Sequence, residues 1–349
     1  MSQLHNVLTL FLSLLVEAMP FLLFGVILSS SLLLLVDEQK LITILPKNPF
    51  LGALVGSCIG FLFPVCECGN IPVARRLLTK GVAPGVAIAF LLAAPTINPV
   101  VIWSTWVAFR GQPEIVVLRV IFSLIIAVSV GCLFGWGADI VELLQPRLAK
   151  RFLFMQSKQV DSLSSNPLMS DVPKLLQSGT YLLGESGSEK SLVSSPSLVI
   201  DSDRLSVSKM SSAVKWQKFL QNVAQELQEL GGMLVIGSAI AASIQVFVPR
   251  EIVFGLGQSP ITSILAMMLL AAIVSICSTV DAFFALSFVS AFSSGSLLAF
   301  LVFGPTIDIK ALGLMLSIFK PKIIIYLFII IAQLTFTMTF IYNYFFSVF

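Results

Sequence analysis

Pro64-Val65-Cys66-Glu67-Cys68-Gly69-Asn70-Ile71-Pro72 follows directly on the apolar run of residues 51–63. Two prolines, a glycine, an asparagine, a carboxylate and two thiols within nine positions are ill suited to a plain lipid-facing helix. In hydrocarbon every backbone N–H and C=O must be bonded inside the protein, so irregular backbone survives at membrane depth only where it is shielded or lines a wet cavity. The stretch therefore reads either as part of a site or as a solvent loop that ends a helix.

Its surroundings are apolar. Hydrophobic residues make up 57% of the 349 and charged residues 11%, against roughly 25% charged in a soluble domain. With a mean hydropathy of +0.98, the expected class is an all-α polytopic membrane protein in contact with lipid. A net charge of +3 gives no reason to expect a nucleic-acid partner. The run of residues 7–36 carries Glu17 and Pro20 and has no Lys or Arg before it, so it is expected to stay as a span. The five cysteines lie in apolar settings and are expected reduced, and Cys58 and Cys132 read as small buried hydrophobes. His5 is the single histidine, so a structural zinc lacks its four ligands and no bound metal is expected. No Walker motif or other cofactor signature occurs, which excludes ATP coupling within this chain.

Three regions follow. Residues 1–138 hold apolar stretches at 7–36, 50–63, 82–109 and 116–136, the third broken at Ala94-Pro95-Thr96-Ile97-Asn98-Pro99. Residues 139–218 contain 18 of the 39 acidic and basic residues, and 17 serines fall between 157 and 212. Without a sustained apolar period this region reads as a disordered linker. Arg75, Arg76 and Lys80, and the basic residues flanking the linker, place these segments and both termini in the cytoplasm. Residues 219–349 hold the remaining apolar stretches.

The last region repeats the first. Glu17-Ala-Met-Pro20-Phe-Leu-Leu-Phe-Gly25 aligns with Glu229-Leu-Gly-Gly232-Met-Leu-Val-Ile-Gly237 at an offset of 212. Ala89-Phe-Leu-Leu-Ala-Ala-Pro95-Thr96-Ile97-Asn98 aligns with Ala299-Phe-Leu-Val-Phe-Gly-Pro305-Thr306-Ile307-Asp308 at an offset of 210, with six identities in ten. Between these anchors Cys66-Glu67-Cys68-Gly69-Asn70 falls opposite Cys277-Ser278-Thr279-Val280-Asp281. Two internally repeated helical bundles are expected, with about eight transmembrane helices; ten result if residues 71–80 and 283–293 also cross, and the repeats are then inverted. Broken spans at matching positions point to a transporter whose substrate site lies between the repeats. If Pro95 and Pro305 begin half-helices, free N–H groups face the middle. Thr96, Asn98, Thr306 and Asp308 then come within reach of one point, with Thr279 and Asp281 nearby.

Residues two apart on a helix point about 200° away from each other, so Cys66 and Cys68 can face one ligand only on bent backbone. Pro64, Gly69 and Pro72 supply the bend, as Pro95, Pro99 and Pro305 do at the other breaks. Cys277 is placed by the repeat to add a third sulfur. Together the thiols read as a cradle for a soft metal or metalloid solute, or else as a structural bend whose thiols meet no substrate. Glu17 and Glu229 are either proton-coupling carboxylates or residues that fix helix packing.

The run Pro64-x-Cys66-x-Cys68-Gly69-x-x-Pro72, the basic patch to Gly81 and Ala89-Phe90-Leu91-x-x-x-Pro95-x-x-Asn98-Pro99 resemble the ArsP-like, YraQ-type predicted permeases. The resemblance covers the membrane portion and leaves out about residues 140–215. It implies a multi-pass permease of the inner or plasma membrane without an ATPase domain, in a family some of whose members export trivalent organoarsenicals. Cys66 and Cys68 are the implied metalloid contacts, with Pro95 and Asn98 in the second motif. Three function classes stand: a secondary-active efflux permease, a non-transporting membrane subunit that recruits a partner through its loop, and an intramembrane thiol enzyme. No histidine stands near the thiols to serve as base, so no enzyme activity is expected.

Overall fold

A computed structural model describes residues 2–35, 46, 48–63, 66–137, 143–146, 212–247, 259–289 and 291–346. Pro64 and almost all of the Ser-rich region 139–218 lie outside the described residues. Contacts divide the chain into two units, residues 1–153 with 219–349, and residues 154–218. The first carries the membrane portion.

Among the described residues there are twelve helices and no strand, as expected of an all-α membrane protein. They are α1 (Ser2–Leu35), α2 (Pro49–Leu62), α3 (Glu67–Thr79), α4 (Pro84–Ala93), α5 (Pro99–Ala108) and α6 (Pro113–Gly137), then α7 (Ser212–Phe247), α8 (Pro260–Val274), α9 (Asp281–Leu286), α10 (Ser294–Phe303), α11 (Ile309–Met315) and α12 (Pro321–Phe346). Proline opens six of them, because a first-turn residue has no intrahelical N–H bond to lose. Side-chain caps also serve three helix starts, two of them proline-opened: Asn98 accepts from the Val101 N–H, Ser293 from Ser296, and Ser259 forms a capping box with Thr262.

Among the described residues, only α1, α6, α7 and α12 contain apolar spans long enough to cross a bilayer, of 27, 24, 28 and 25 residues. A helix of 10 residues is about 15 Å long, half the roughly 30 Å hydrocarbon layer. The shorter apolar helices therefore work as joined pieces. In α4 every residue is buried, and in α10 all but the first, so these two form the apolar centre around which the long helices stand.

Small residues bring the pieces close. α4 packs between α2 and α6, and α10 between α8 and α12, while α6 touches α10 and α12 and so joins the two sides. A Cβ built on Gly131 would lie 2.7 Å from the Ala89 Cβ and 2.8 Å from the Gly85 carbonyl. At Gly25 of α1 a Cβ would collide with the backbone of Gly69 in α3. Such contact suits helices in lipid, where close van der Waals packing replaces the hydrophobic effect between them. Two further contacts cross between the sides: α3 with α11, and α5 with α9.

The breaks differ in one respect from the expectation. Pro95 and Pro305 do not open half-helices; they lie in the turns that end α4 and α10, and the chain restarts at Pro99 and Ile309 under the caps Asn98 and Asp308. The reason is local: the Thr96 and Ile97 N–H groups still bond back to Ala93, and the Thr306 and Ile307 groups to Phe303, so the turn tightens before the backbone extends at the cap.

Gly131→Leu tests the packing. The added volume at the α4–α6 contact is expected to cost about 1–3 kcal/mol or more of overpacking, read as a lower melting temperature of the detergent-solubilised protein, whereas Gly111→Ala, with open space around it, leaves it unchanged.

Candidate functional site

Cys66 caps α3 in extended conformation, with φ −75° and ψ 179°, and its carbonyl accepts the N–H groups of Gly69 and Asn70 at 3.1 and 3.2 Å. The helix thus begins inside the Cys-x-Cys stretch, which removes the 200° separation of two thiols on one continuous helix. Cys277 opens the same kind of turn. α8 stops at Val274, Ser275 takes a left-handed φ of 46°, and the Cys277 carbonyl accepts Val280 and Asp281 at 2.9 and 3.1 Å before α9 starts.

These turns meet. The Thr279 hydroxyl donates to the Cys277 sulfur at 3.5 Å. All three thiols line one crevice with Glu17, Ala18 and Phe21 of α1, Glu67 of α3 and Lys310 of α11. It is a narrow, partly open space of about 180 Å³ between the helices. Among the described residues no three His, Cys, Asp or Glu side chains are arranged to hold a metal ion. The thiols share a lining without converging on a point.

Charge is buried here. Lys310 is 2% exposed, and its amine lies 4.0 Å from the Asp308 carboxylate, while the other face of Asp308 caps α11 through the Ala311 N–H. Glu67 is 5% exposed, and its Oε2 has no hydrogen-bond partner. Both polar atoms of the buried Asn70 amide are likewise unpartnered. Buried groups of this kind are rare in folded proteins.

The other anticipated residues sit apart from the crevice or are bonded locally. Asn98 spends its carbonyl on Val101 at 2.8 Å and its amide on Ala94 at 3.0 Å. The Thr96 hydroxyl donates to Leu92 and Ala93, and that of Thr306 to Phe303 at 2.7 Å. Asp281 is held by Arg119 of α6 through two bonds of 3.1 and 2.6 Å, and the same guanidinium reaches Thr105 of α5 at 2.7 Å. Glu229, the counterpart of Glu17, lies outside the crevice and accepts both its bonds from Arg75 at 3.1 Å. Beside it Arg76 pairs with Glu226 at 3.0 Å, and Ser29 donates to Glu226 and to the Pro72 carbonyl. Gly69 makes its closest approach to Gly25, and Pro72 lies inside α3.

Sequence reasoning passed over Lys310 and Arg119. The signal for Lys310 was its place two residues after the Pro305-Thr306-Ile307-Asp308 break, as the single cation of residues 282–319. Arg119 was visible as the one cation within 113–136. An intramembrane charge of this sort is by default functional or paired.

Comparison with known proteins extends the resemblance to the whole membrane portion. Residues 3–344 match the family ArsP_1, described as predicted permease. The UPF0718 protein YcgR of Bacillus subtilis is 36% identical over 318 residues, 90% of each chain. A Streptococcus mutans serotype c protein, named as a subunit of a two-component membrane permease complex, is 34% identical over 318 residues, 91% of this chain and 88% of its own. The UPF0718 protein YraQ of Escherichia coli K12 is 33% identical over 75 residues, 22% of each. No solved structure matches.

The buried Arg119–Asp281 pair predicts a large, non-additive effect. Arg119→Met or Asp281→Ala alone is expected to cost about 3–5 kcal/mol by stranding the other charge, and replacing both by apolar residues to recover most of it; thermal unfolding of the three variants in detergent measures the coupling.

Proposed function

The chain belongs to the predicted permease family ArsP_1, and from that premise we propose that it moves a small thiophilic solute across the membrane through the crevice of Cys66, Cys68 and Cys277. The observation that carries this reading is the meeting of three buried thiols from two distant stretches of chain, Cys66 and Cys277 on non-helical backbone and Cys68 in the first turn of α3. Thiols at bends between packed helices can be exposed and covered again by small relative movement, whereas thiols fixed mid-helix cannot. Soft sulfur prefers soft, polarisable partners, and trivalent organoarsenicals and antimonite belong to that class.

Residues 1–138 and 219–349 act in this proposal as two repeats of one bundle. The succession of a long helix, two pieces, a broken span and a closing long helix on each side supports it. The crevice and the Arg119–Asp281 pair lie at the crossed contacts of α3 with α11 and α5 with α9, where the repeats would rock against each other. Termini and residues 139–218 lie in the cytoplasm of an inner or plasma membrane, and coupling is secondary, without ATP. Glu17 is the carboxylate placed to couple protons; Glu229, paired with Arg75, acts in holding α3 to α7. Thr96, Asn98, Thr306 and Asp308 serve the breaks that frame the path, with Thr279 and Asp281 at the Cys277 turn.

A second component is part of the proposal. The Streptococcus mutans relative bears the name of a complex subunit, and the Ser-rich region 139–218 is the segment best suited in composition to recruit a cytoplasmic protein.

The proposal is tested by growth and cell content during exposure to trivalent arsenicals, antimonite and soft metals. Expression is expected to lower cell content several-fold for at least one compound, and Cys66→Ser to abolish the difference. Equal growth and content for every compound, with and without the protein, would remove the thiophilic solute. Deleting residues 157–212 is expected to spare flux through the purified chain and to abolish only copurification of a partner.

A further inference from the structure

Carboxyl groups outnumber cations in the crevice. Glu17 enters from α1, Glu67 from α3, and Lys310 from α11 with Asp308 at its cap. α4, also packed against α3, carries no charged residue, and α7 meets α3 through Glu229 and Glu226, which pair with Arg75 and Arg76 outside the crevice. Cys66, Cys68 and Cys277 are the other titratable groups on the lining. Three carboxyl groups thus face one ammonium. Asp308 already stands nearest to Lys310, at 4.0 Å, while Glu67 keeps one oxygen without any partner although the residue is 95% buried by the complement of its 5% exposure. Leaving a buried acceptor unmet is costly, and the site retains that cost where a ligand would relieve it.

We infer that the crevice selects its solute by positive charge, so that the species reaching the three thiols is a thiophilic cation received by Glu67 and Glu17. The inference rests on the permease reading and adds the charge class of the cargo. An anion finds a single ammonium, one that Asp308 already matches. Glu17 and Glu67 repel it if ionised and offer only neutral contact if protonated. A cation gains from each ionised carboxylate and, if soft, gains again at sulfur. Lys310 stands in the site as a tethered cation on a flexible four-carbon stem, able to withdraw when a mobile cation takes its place.

The thiols themselves report the selection. In full-length protein carrying Cys58→Ser and Cys132→Ser, reconstituted in vesicles, the crevice thiols are treated with methanethiosulfonates bearing a trimethylammonium, a sulfonate or an uncharged methyl group. The thiolate attacks the sulfenyl sulfur, a mixed disulfide forms and methanesulfinate leaves, so chemistry is common to all three and only the charge of the arriving group differs. After division by the rates with a free small thiol, the cationic reagent is expected to react about tenfold faster than the anionic one, the lower end of focusing by a charged cleft. Glu67→Gln, nearly isosteric, lowers that ratio several-fold, Lys310→Met raises it, and Glu114→Gln outside the crevice leaves it alone. Should Lys310→Met fail to fold, Glu67→Gln carries the test by itself. A wild-type ratio at or below one, or a ratio unmoved by Glu67→Gln, overturns the inference while leaving a permeable crevice. Absence of reaction with all three reagents overturns the permease reading along with it.

Discussion

Backbone hydrogen bonding in a medium without water is the constraint on which the rest of this structure depends. Each break in a span exposes N–H and C=O groups that hydrocarbon cannot satisfy. At residues 94–98 and 304–308 the turns bond back on themselves, and Asn98 and Asp308 take up N–H groups of the helix that follows. What remains is shielded by neighbours. α4 and α10, which lead into the breaks, are the most completely buried helices of the chain and are flanked by α2 with α6 and by α8 with α12. The architecture follows from keeping two broken spans away from lipid.

The same constraint sorts the charges. Arg75 and Arg76 meet Glu229 and Glu226 with part of each side chain exposed, so these pairs are less completely desolvated than Arg119 and Asp281. Arg119 and Asp281 are almost fully buried, and their two-point geometry, with Thr105 taking a further N–H, is what makes burial tolerable. Lys310, Glu67 and Glu17 are different. Their contacts are long or missing, and they border the thiols. A membrane protein keeps such groups where something else completes them, which is the ground for proposing that a solute meets the protein at the crevice rather than at the Arg119 pair.

Much of this was legible from residues alone. The all-helical membrane class followed from composition, and Pro95, Pro99 and Pro305 marked the broken spans. Cys66, Cys68 and Cys277 were singled out by type and spacing, and all three line the crevice. The role of the second motif was less legible. Asn98 is a cap and Thr96 a turn hydroxyl, and a polar residue that satisfies its own backbone has the same sequence signature as one that faces a ligand.

Sequence by itself determined where helices must start, stop and break, because proline, glycine and capping side chains act over a single turn. It also determined that the intramembrane carboxylates and the irregular backbone carrying Cys66 and Cys68 needed shelter, because hydrocarbon penalises charge and unbonded backbone wherever they lie. Only the tertiary structure decided which of them meet. Glu17 and Glu229 occupy corresponding places in the chain, yet one borders three thiols and the other an arginine. Lys310 lines the same crevice as Glu67, 243 positions away in the chain, and Arg119 pairs with Asp281 across 162. Such pairings depend on the crossing of packed helices, a relation between distant segments that no local rule of spacing contains.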